Sequence, residues 1–314
     1  MRYSLLPRAL NALICTTLLA FTQPPALPYT LLVRGRRAFA SNVVDTARTS
    51  LQRSPTVGGL LRIEVAGETN VGMKRTHNED NFSIVEESGL YIVADGMGGH
   101  ASGEIASKMA VDAMREFFAA TANDPERTWP YKMDRAKGYE ENRLITGIKL
   151  ANLRIYDSAQ RDPRQRGMGT TIVALFAVED GVYLAHVGDS RVYRLRDGKL
   201  EQLTEDHSLL NDYIKMKRLT AEEIANFPHK NVIVRALGMK DTVKVDTRLE
   251  QPRASDVYLL CSDGLSGPVT DPDMLEIMVG ASDLKTAASR LIGKANENGG
   301  PDNITVVLAR WVPG

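Results

Sequence analysis

Three times in this chain, two strand-like apolar runs are joined by a connection only long enough for a turn. Arg191–Leu195 and Lys199–Leu203 flank Asp197-Gly198, Thr170–Val178 and Val182–Val187 flank Glu179-Asp180-Gly181, and Asn81–Val85 and Leu90–Ala94 flank Glu86-Glu87-Ser88-Gly89. Such short links force antiparallel pairing. Asp-Gly is a strong hairpin signal because both turn positions can require positive φ. Val243–Arg248, Val257–Cys261 and Ile304–Trp311 also read as strands. Two helices are predicted from a recurring apolar stripe: Ser102–Ala119, through Ile105, Met109, Ala113 and Phe117, and Glu141–Ala159, through Leu144, Ile148, Ala151 and Ile155. Shorter helices follow at Asp273–Val279 and Leu284–Asn296. Hairpin blocks separated by helix pairs predict an α+β fold, with antiparallel sheets inside and helices outside. The polar, helical stretch Ser208–Phe227, ended by Pro228, reads as an insertion over the sheet edge.

Charge divides the chain. Residues 1–60 carry seven Arg, no Lys and one acid, Asp45, so they hold +6 against −6 for the rest of a neutral chain. That shift places a boundary near Gly58-Gly59 and sets residues 1–58 apart as a disordered leader or targeting segment, with 59–314 as the folded domain. Ala9–Phe21 is too short to span a bilayer. Ala38-Phe39-Ala40 resembles a cleavage site, but three arginines crowd it. A cytoplasmic protein is expected, with export or membrane association left open by the leader. Zero net charge does not suggest a broad hold on nucleic acid. Cys15 and Cys261 are too few for a disulfide framework.

The stretch "LYIVADGMGGHASGE" ends an apolar run in Asp95 and then strips the next turn of side chains. Gly96-Met97-Gly98-Gly99-His100-Ala101 formally fits a dinucleotide loop, but no second parallel strand ending in an acid follows. The alternative is a metal ligand, and it gains from recurrence. Asp263 follows the strand "VYLLCS", Asp189 follows "AHVG", Asp302 precedes the last strand, and Glu79 and Asp80 precede the first hairpin. One such Asp is ordinarily a turn residue bonding its own backbone. Five segments with the same grammar would, if the strand ends converge, pack carboxylates so densely that only cations could keep them ionised. Oxygen-only ligands select Mg²⁺ or Mn²⁺ over Zn²⁺. The five histidines form no ligand pair: His186 reads as a core residue, and His77, His207 and His229 as structural or solvated.

Taken in order, "TNVGMKRTHNEDNF", "VADGMGGHASGE", "GMGTTIVAL", "AHVGDSRVYRL", "LTEDHS", "VIVRALG", "LLCSDGL" and "GGPDNITVVL" resemble the PPM family, the metal-dependent protein serine/threonine phosphatases also called protein phosphatase 2C, in its bacterial style. The resemblance covers about residues 66–311. It implies a four-layer αββα sandwich of two antiparallel β-sheets flanked by helices, with an inserted flap at about 206–230. It also implies a centre of two Mn²⁺ or Mg²⁺ ions with a possible third. By position, Asp95 bridges both ions and the Gly96 carbonyl binds one. Asp263 and Asp302 bind the first, Glu79 and Asp80 serve the second, and Asp189 helps Asp263 hold the third. Arg75 matches the arginine that grips the substrate phosphate.

The implied reaction is hydrolysis of phosphoserine and phosphothreonine by direct attack of a hydroxide bridging the two ions. The substrates are phosphorylated proteins, a bacterial serine/threonine kinase is the implied opponent, and a monomer is expected. Many animal members carry a histidine directly after the Asp-Gly pair, proposed as the acid for the leaving group. Here Met97 stands there, with no proton to give, and the segment Asp124–Tyr139 matches no family pattern. A catalytically dead relative acting as a regulator is the rival reading. It ordinarily lacks a metal acid, whereas Asp95, Asp263 and Asp302 are all present. An unrelated metal-dependent phosphodiesterase is disfavoured by the lack of histidine ligands.

Overall fold

The computed structural model describes residues 61–99, 102–122, 129–217, 219–225, 227 and 232–314. The leader at 1–58, the boundary at Gly58-Gly59, His100 and His229 lie outside these residues. The chain runs β1 (Leu61–Asn70), β2 (Asp80–Val85), β3 (Leu90–Met97), α1 (Ser102–Thr121), α2 (Tyr139–Arg161), β4 (Gly169–Thr170), β5 (Ile172–Val178) and β6 (Gly181–Val187). It continues through β7 (Arg191–Arg196), β8 (Lys199–Gln202), α3 (Leu209–Lys217), α4 (Ala221–Ala225), β9 (Asp246–Glu250), β10 (Val257–Cys261), α5 (Asp263–Ser266), α6 (Asp271–Gly280), α7 (Leu284–Glu297) and β11 (Ile304–Pro313).

Two antiparallel sheets result. One has the order β1-β11-β10-β7-β8, the other β2-β3-β5-β6-β9 with β4 attached to β3. All three expected hairpins form, and the tight turn at Asp197 and Gly198 has φ of 50° and 71°. Apolar side chains pack in three layers. Leu90, Ile92 and Ala94 of β3 face α1 and α2, while Tyr91 and Val93 face the other sheet. Tyr258 and Leu260 of β10 meet them in the intersheet layer, and Val257, Leu259 and Cys261 face α6 and α7. This is the four-layer αββα sandwich. Both faces of the central strands are covered, so "LYIVA" and "VYLLC" are unbroken apolar runs without polar alternation. Burying each such side chain contributes about 1.5–3 kcal/mol.

Some elements differ from expectation. Ile105 is 39% exposed, and the buried face of α1 is Ala106, Ala110, Ala113, Met114, Phe117 and Phe118. Steps of four residues advance about 40° too far on a helix of 3.6 residues per turn, so Ile105 and Phe117 end on different faces. The α2 stripe alternates steps of four and three, and Leu144, Ile148, Ala151 and Ile155 are all fully buried. The expected strand at Val243–Arg248 begins later, at Asp246, which pairs with His186 one residue before β6 ends, so the residues before it have no partner on that strand. β1 was not anticipated, and it pairs along its whole length with β11. The Ser208–Phe227 excursion is two short helices, α3 and α4.

Candidate active site

The acids come from both sheets. Asp80 opens β2 and stands directly opposite Asp95 in β3. Asp263 follows β10 as the first residue of α5, and Asp302 lies just before β11. Asp189 occupies the turn between β6 and β7. Asp189, Asp263 and Asp302 line one cleft of about 320 Å³ together with Arg191, Asp206, Ser208 and Leu210. Asp95 and Asp263 lie within hydrogen-bond reach of each other. Glu79 is half-buried, and its carboxylate accepts from the Gly103 amide. Gly96 is wedged so tightly that an added Cβ would meet the Gly103 and Glu79 carbonyl oxygens at 2.2 and 2.4 Å. Arg75, half-exposed, reaches Asp302 Oδ2 at 2.7 Å.

Short polar side chains fix these acids, and the sequence reading did not single them out. Thr170 and Thr171 clamp the Asp95 backbone: Thr171 N–H and Thr170 Oγ1 donate to its carbonyl, both at 2.8 Å, and Thr171 Oγ1 accepts its N–H at 3.1 Å. Ser262 and Thr305 donate to Asp80 Oδ2 at 2.8 and 2.7 Å. Asn303 accepts the Glu79 amide at 2.7 Å and donates to the Val71 and His77 carbonyls, both at 2.9 Å. Arg191 grips Asp206 with a forked pair. The available signal was polar hydroxyls inside or beside otherwise apolar runs, as in "GMGTTIVAL" and "DNITVVL".

The electrostatics are those of an anion cluster lacking counter-charge. Burial, then repulsion from Asp80, Asp263, Asp189 and Asp302, pushes the Asp95 carboxyl well above the usual carboxylate range. Burial raises Asp80 to about 7, against the pull of its Thr305 and Ser262 donors. Asp189 rises to about 7 through burial and the nearby Asp263 and Asp206. Asp263 rises through burial and Asp302, and Glu79 through burial. Asp189 Oδ1 is buried with no hydrogen-bond partner. Of the two guanidinium groups at hand, Arg191 is committed to Asp206 and Arg75 to Asp302. The donor set is all oxygen, one oxygen is orphaned, and the negative charge is in excess. That set fits hard divalent cations.

A second group, His186, His207 and Asp246, brings three donor atoms within 4.8 Å of one another. Its rings stack 4.6 Å apart at 13°, so their in-plane lone pairs run side by side instead of converging. Arg235 Nη1, 2.9 Å from Asp246 Oδ2, already supplies a cation there.

A model of the protein phosphatase 2C family matches residues 72–299. The chain belongs to that family. The serine/threonine phosphatase Stp of Listeria monocytogenes is 40% identical over 247 residues, covering 76% of this chain and 92% of that protein. The catalytic domain of a phosphatase named PstP, crystallised with two manganese ions, superposes with a TM-score of 0.65 at 35% identity, covering 80% of this chain and 99% of that one. The phosphatase Stp1 of Staphylococcus aureus gives a TM-score of 0.70 at 30% identity, covering 85% and 99%. This protein phosphatase 2C member is a metal-dependent enzyme that hydrolyses phosphoserine and phosphothreonine. Among the described residues, no helix is long and apolar enough to cross a membrane.

Proposed function

We propose that the carboxylate cluster is a binuclear Mn²⁺ or Mg²⁺ centre and that each acid has a separate task. Asp95 and the Gly96 carbonyl would hold the ions at the centre of the cluster. Asp263 and Asp302 hold the first ion, Glu79 and Asp80 serve the second, and Asp189 with Asp263 holds a weaker third. The observation that carries this is the excess of buried carboxylate, with the orphaned Asp189 Oδ1, where two sheets deliver acids to one spot. When bound, the ions supply Lewis acidity, making water a nucleophile at neutral pH and offsetting the charge that builds on the phosphoryl oxygens.

The protein's own groups do the rest. Arg75 stands at the mouth with a half-exposed fork able to hold two phosphate oxygens. Thr170 and Thr171 keep Asp95 from turning away, and Ser262 and Thr305 occupy one Asp80 oxygen, leaving Oδ1 toward the cluster. Met97 ends β3 and offers no proton to the leaving alkoxide, so a histidine at that position has no part in this enzyme. Cys261 is fully buried and its thiol is pushed up to about 12, which argues against a thiolate nucleophile.

The substrates are phosphorylated proteins, with a bacterial serine/threonine kinase as the opposing enzyme. The similarity to phosphatases of Listeria monocytogenes and Staphylococcus aureus supports this. Residues 59–314 are the catalytic domain, with an inserted flap at about 206–230 whose Asp206, Ser208 and Leu210 line the cleft. Residues 1–58, set apart by their charge, are a leader or targeting segment, and the enzyme works as a monomer, in the cytoplasm unless that segment exports it or ties it to a membrane. The test is hydrolysis of phosphoserine and phosphothreonine peptides with Mn²⁺ or with chelator. Chelation abolishes turnover, and Asp263→Asn lowers kcat/KM by about 10²-fold or more, roughly 3 kcal/mol of barrier. Undiminished turnover in the stripped protein or in that variant sinks the assignment.

A further inference from the structure

His207 lies between β8 and α3, buried, with both ring nitrogens engaged. Nδ1 accepts the Gly188 N–H at 3.0 Å. The ring proton therefore sits on Nε2, which donates to Asp246 Oδ2 at 2.8 Å; Arg235 Nη1, 2.9 Å from Nε2, donates to that same carboxylate oxygen at 2.9 Å. The His207 backbone N–H donates to the Gly188 carbonyl at 2.9 Å. One residue thus holds the peptide groups on both sides of Gly188. The position admits only glycine, because Gly188 has φ of +113° and an added Cβ would stand 2.6 Å from Thr171. The next residue is Asp189. The one after, Ser190, shares a 2.7 Å hydrogen bond with Thr171 Oγ1, the same oxygen that accepts the Asp95 amide. The turn that presents Asp189 is gripped by His207 on one side and by the Asp95 clamp on the other.

We propose that His207 is a positioning residue for Asp189. It sets the cation affinity of the weaker third site without touching the ion, and Asp246 orients its ring from the far end of the 206–246 excursion. The proposal rests on the reading of Asp189 as a ligand of that ion. Fixing a ligand through hydrogen bonds to its support is worth roughly 10–100-fold in metal affinity.

The two amide replacements separate the two contacts of the ring. An asparagine oxygen reaches the Nδ1 position and keeps the Gly188 bond, whereas a glutamine amide reaches the Nε2 position and loses it. Calorimetric titration of the full-length apo protein with Mn²⁺, together with hydrogen exchange at the Gly188 amide, provides the readouts. His207→Gln is expected to weaken the weakest Mn²⁺ event about tenfold, to leave the tighter events unchanged and to speed Gly188 exchange. His207→Asn keeps all three near wild type. Asp189→Asn abolishes the weak event, and adding His207→Gln causes no further change in Mn²⁺ binding, as expected for residues acting in one chain. If His207→Gln does not fold, Asp246→Ala, which removes the carboxylate that accepts the ring proton and leaves Nε2 facing only the Arg235 guanidinium, weakens the same event.

If Asp189→Asn leaves every Mn²⁺ event intact, the ligand assignment itself fails. If Asp189→Asn removes the weak event but His207→Gln, or Asp246→Ala in its place, leaves it untouched, only the positioning role falls. Equal losses in the asparagine and glutamine variants also overturn that role.

Discussion

Arg75 is the residue whose chemistry is most exposed to a test. It is half in solvent and already paired with Asp302, so it waits at the mouth with its fork oriented and its desolvation small. Lysine in its place keeps the charge but loses the planar fork. Arg75→Lys is therefore expected to raise KM for a phosphopeptide about tenfold while kcat falls less than about threefold, the pattern of lost binding shared by substrate and transition state. Steady-state kinetics at saturating Mn²⁺ check it. Acids beneath Arg75 that are held by buried side chains behave differently, because their neighbours no longer face solvent. Asp80 is the clearest case, with two hydroxyl donors on one oxygen.

Among the elements, α2 shows how a segment without a recognisable pattern is still pinned. Buried Asn142, in its first turn, accepts the Asp134 amide at 2.8 Å and donates to the Asp134, Lys137 and Gly138 carbonyls at 3.0, 3.0 and 2.9 Å. Trp129 packs edge-on against Phe117 and tilts over Tyr139. Asn142→Ala strands these polar groups and is expected to cost about 2–3 kcal/mol, read as a lower denaturant midpoint with unchanged Mn²⁺ affinity. Nothing in "YKMDRAKGYEEN" announces this anchor, since its bonds run to backbone atoms whose placement only the fold decides. The hairpins were legible because turn chemistry is local, and the α2 face was legible because its spacing tracks the helical period. The α1 face was misread where a strict four-residue step drifts off that period. β1 went unread because Arg62, Glu64, Gly67 and Glu68 break its apolar pattern and only Ile63 along it is buried. The acids were visible as strand-end repeats and the resemblance named their tasks. The threonines, Ser262 and Asn303 were not visible, because a buried hydroxyl looks like any other until its partner is placed.

At the scale of the whole molecule, the acids and the histidines pull stability in opposite directions with pH. Asp80 and Asp189 titrate near 7 in the folded apo protein against about 4 unfolded. Their contribution is complete below pH 4 and is lost as pH rises through 7. His207 is held down to about 4 by burial, and His186 is lowered the same way. Their contribution is complete above about 6.5 and is lost as pH falls toward 4. In chelated protein the acids outnumber the histidines, so Tm is expected to rise by about 5 °C or more between pH 7.5 and 5. In Mn²⁺-saturated protein the acids are already neutralised and the slope reverses. Calorimetric scans with and without chelator check both signs. The acids descend from two different sheets, Asp80 and Asp95 from one, Asp263 and Asp302 from the other. Ions held by this set of acids would rivet the seam of the sandwich. Prising the halves apart empties the centre, so loading it with Mn²⁺ is expected to slow unfolding, read as a longer half-life in denaturant with Mn²⁺ than with chelator.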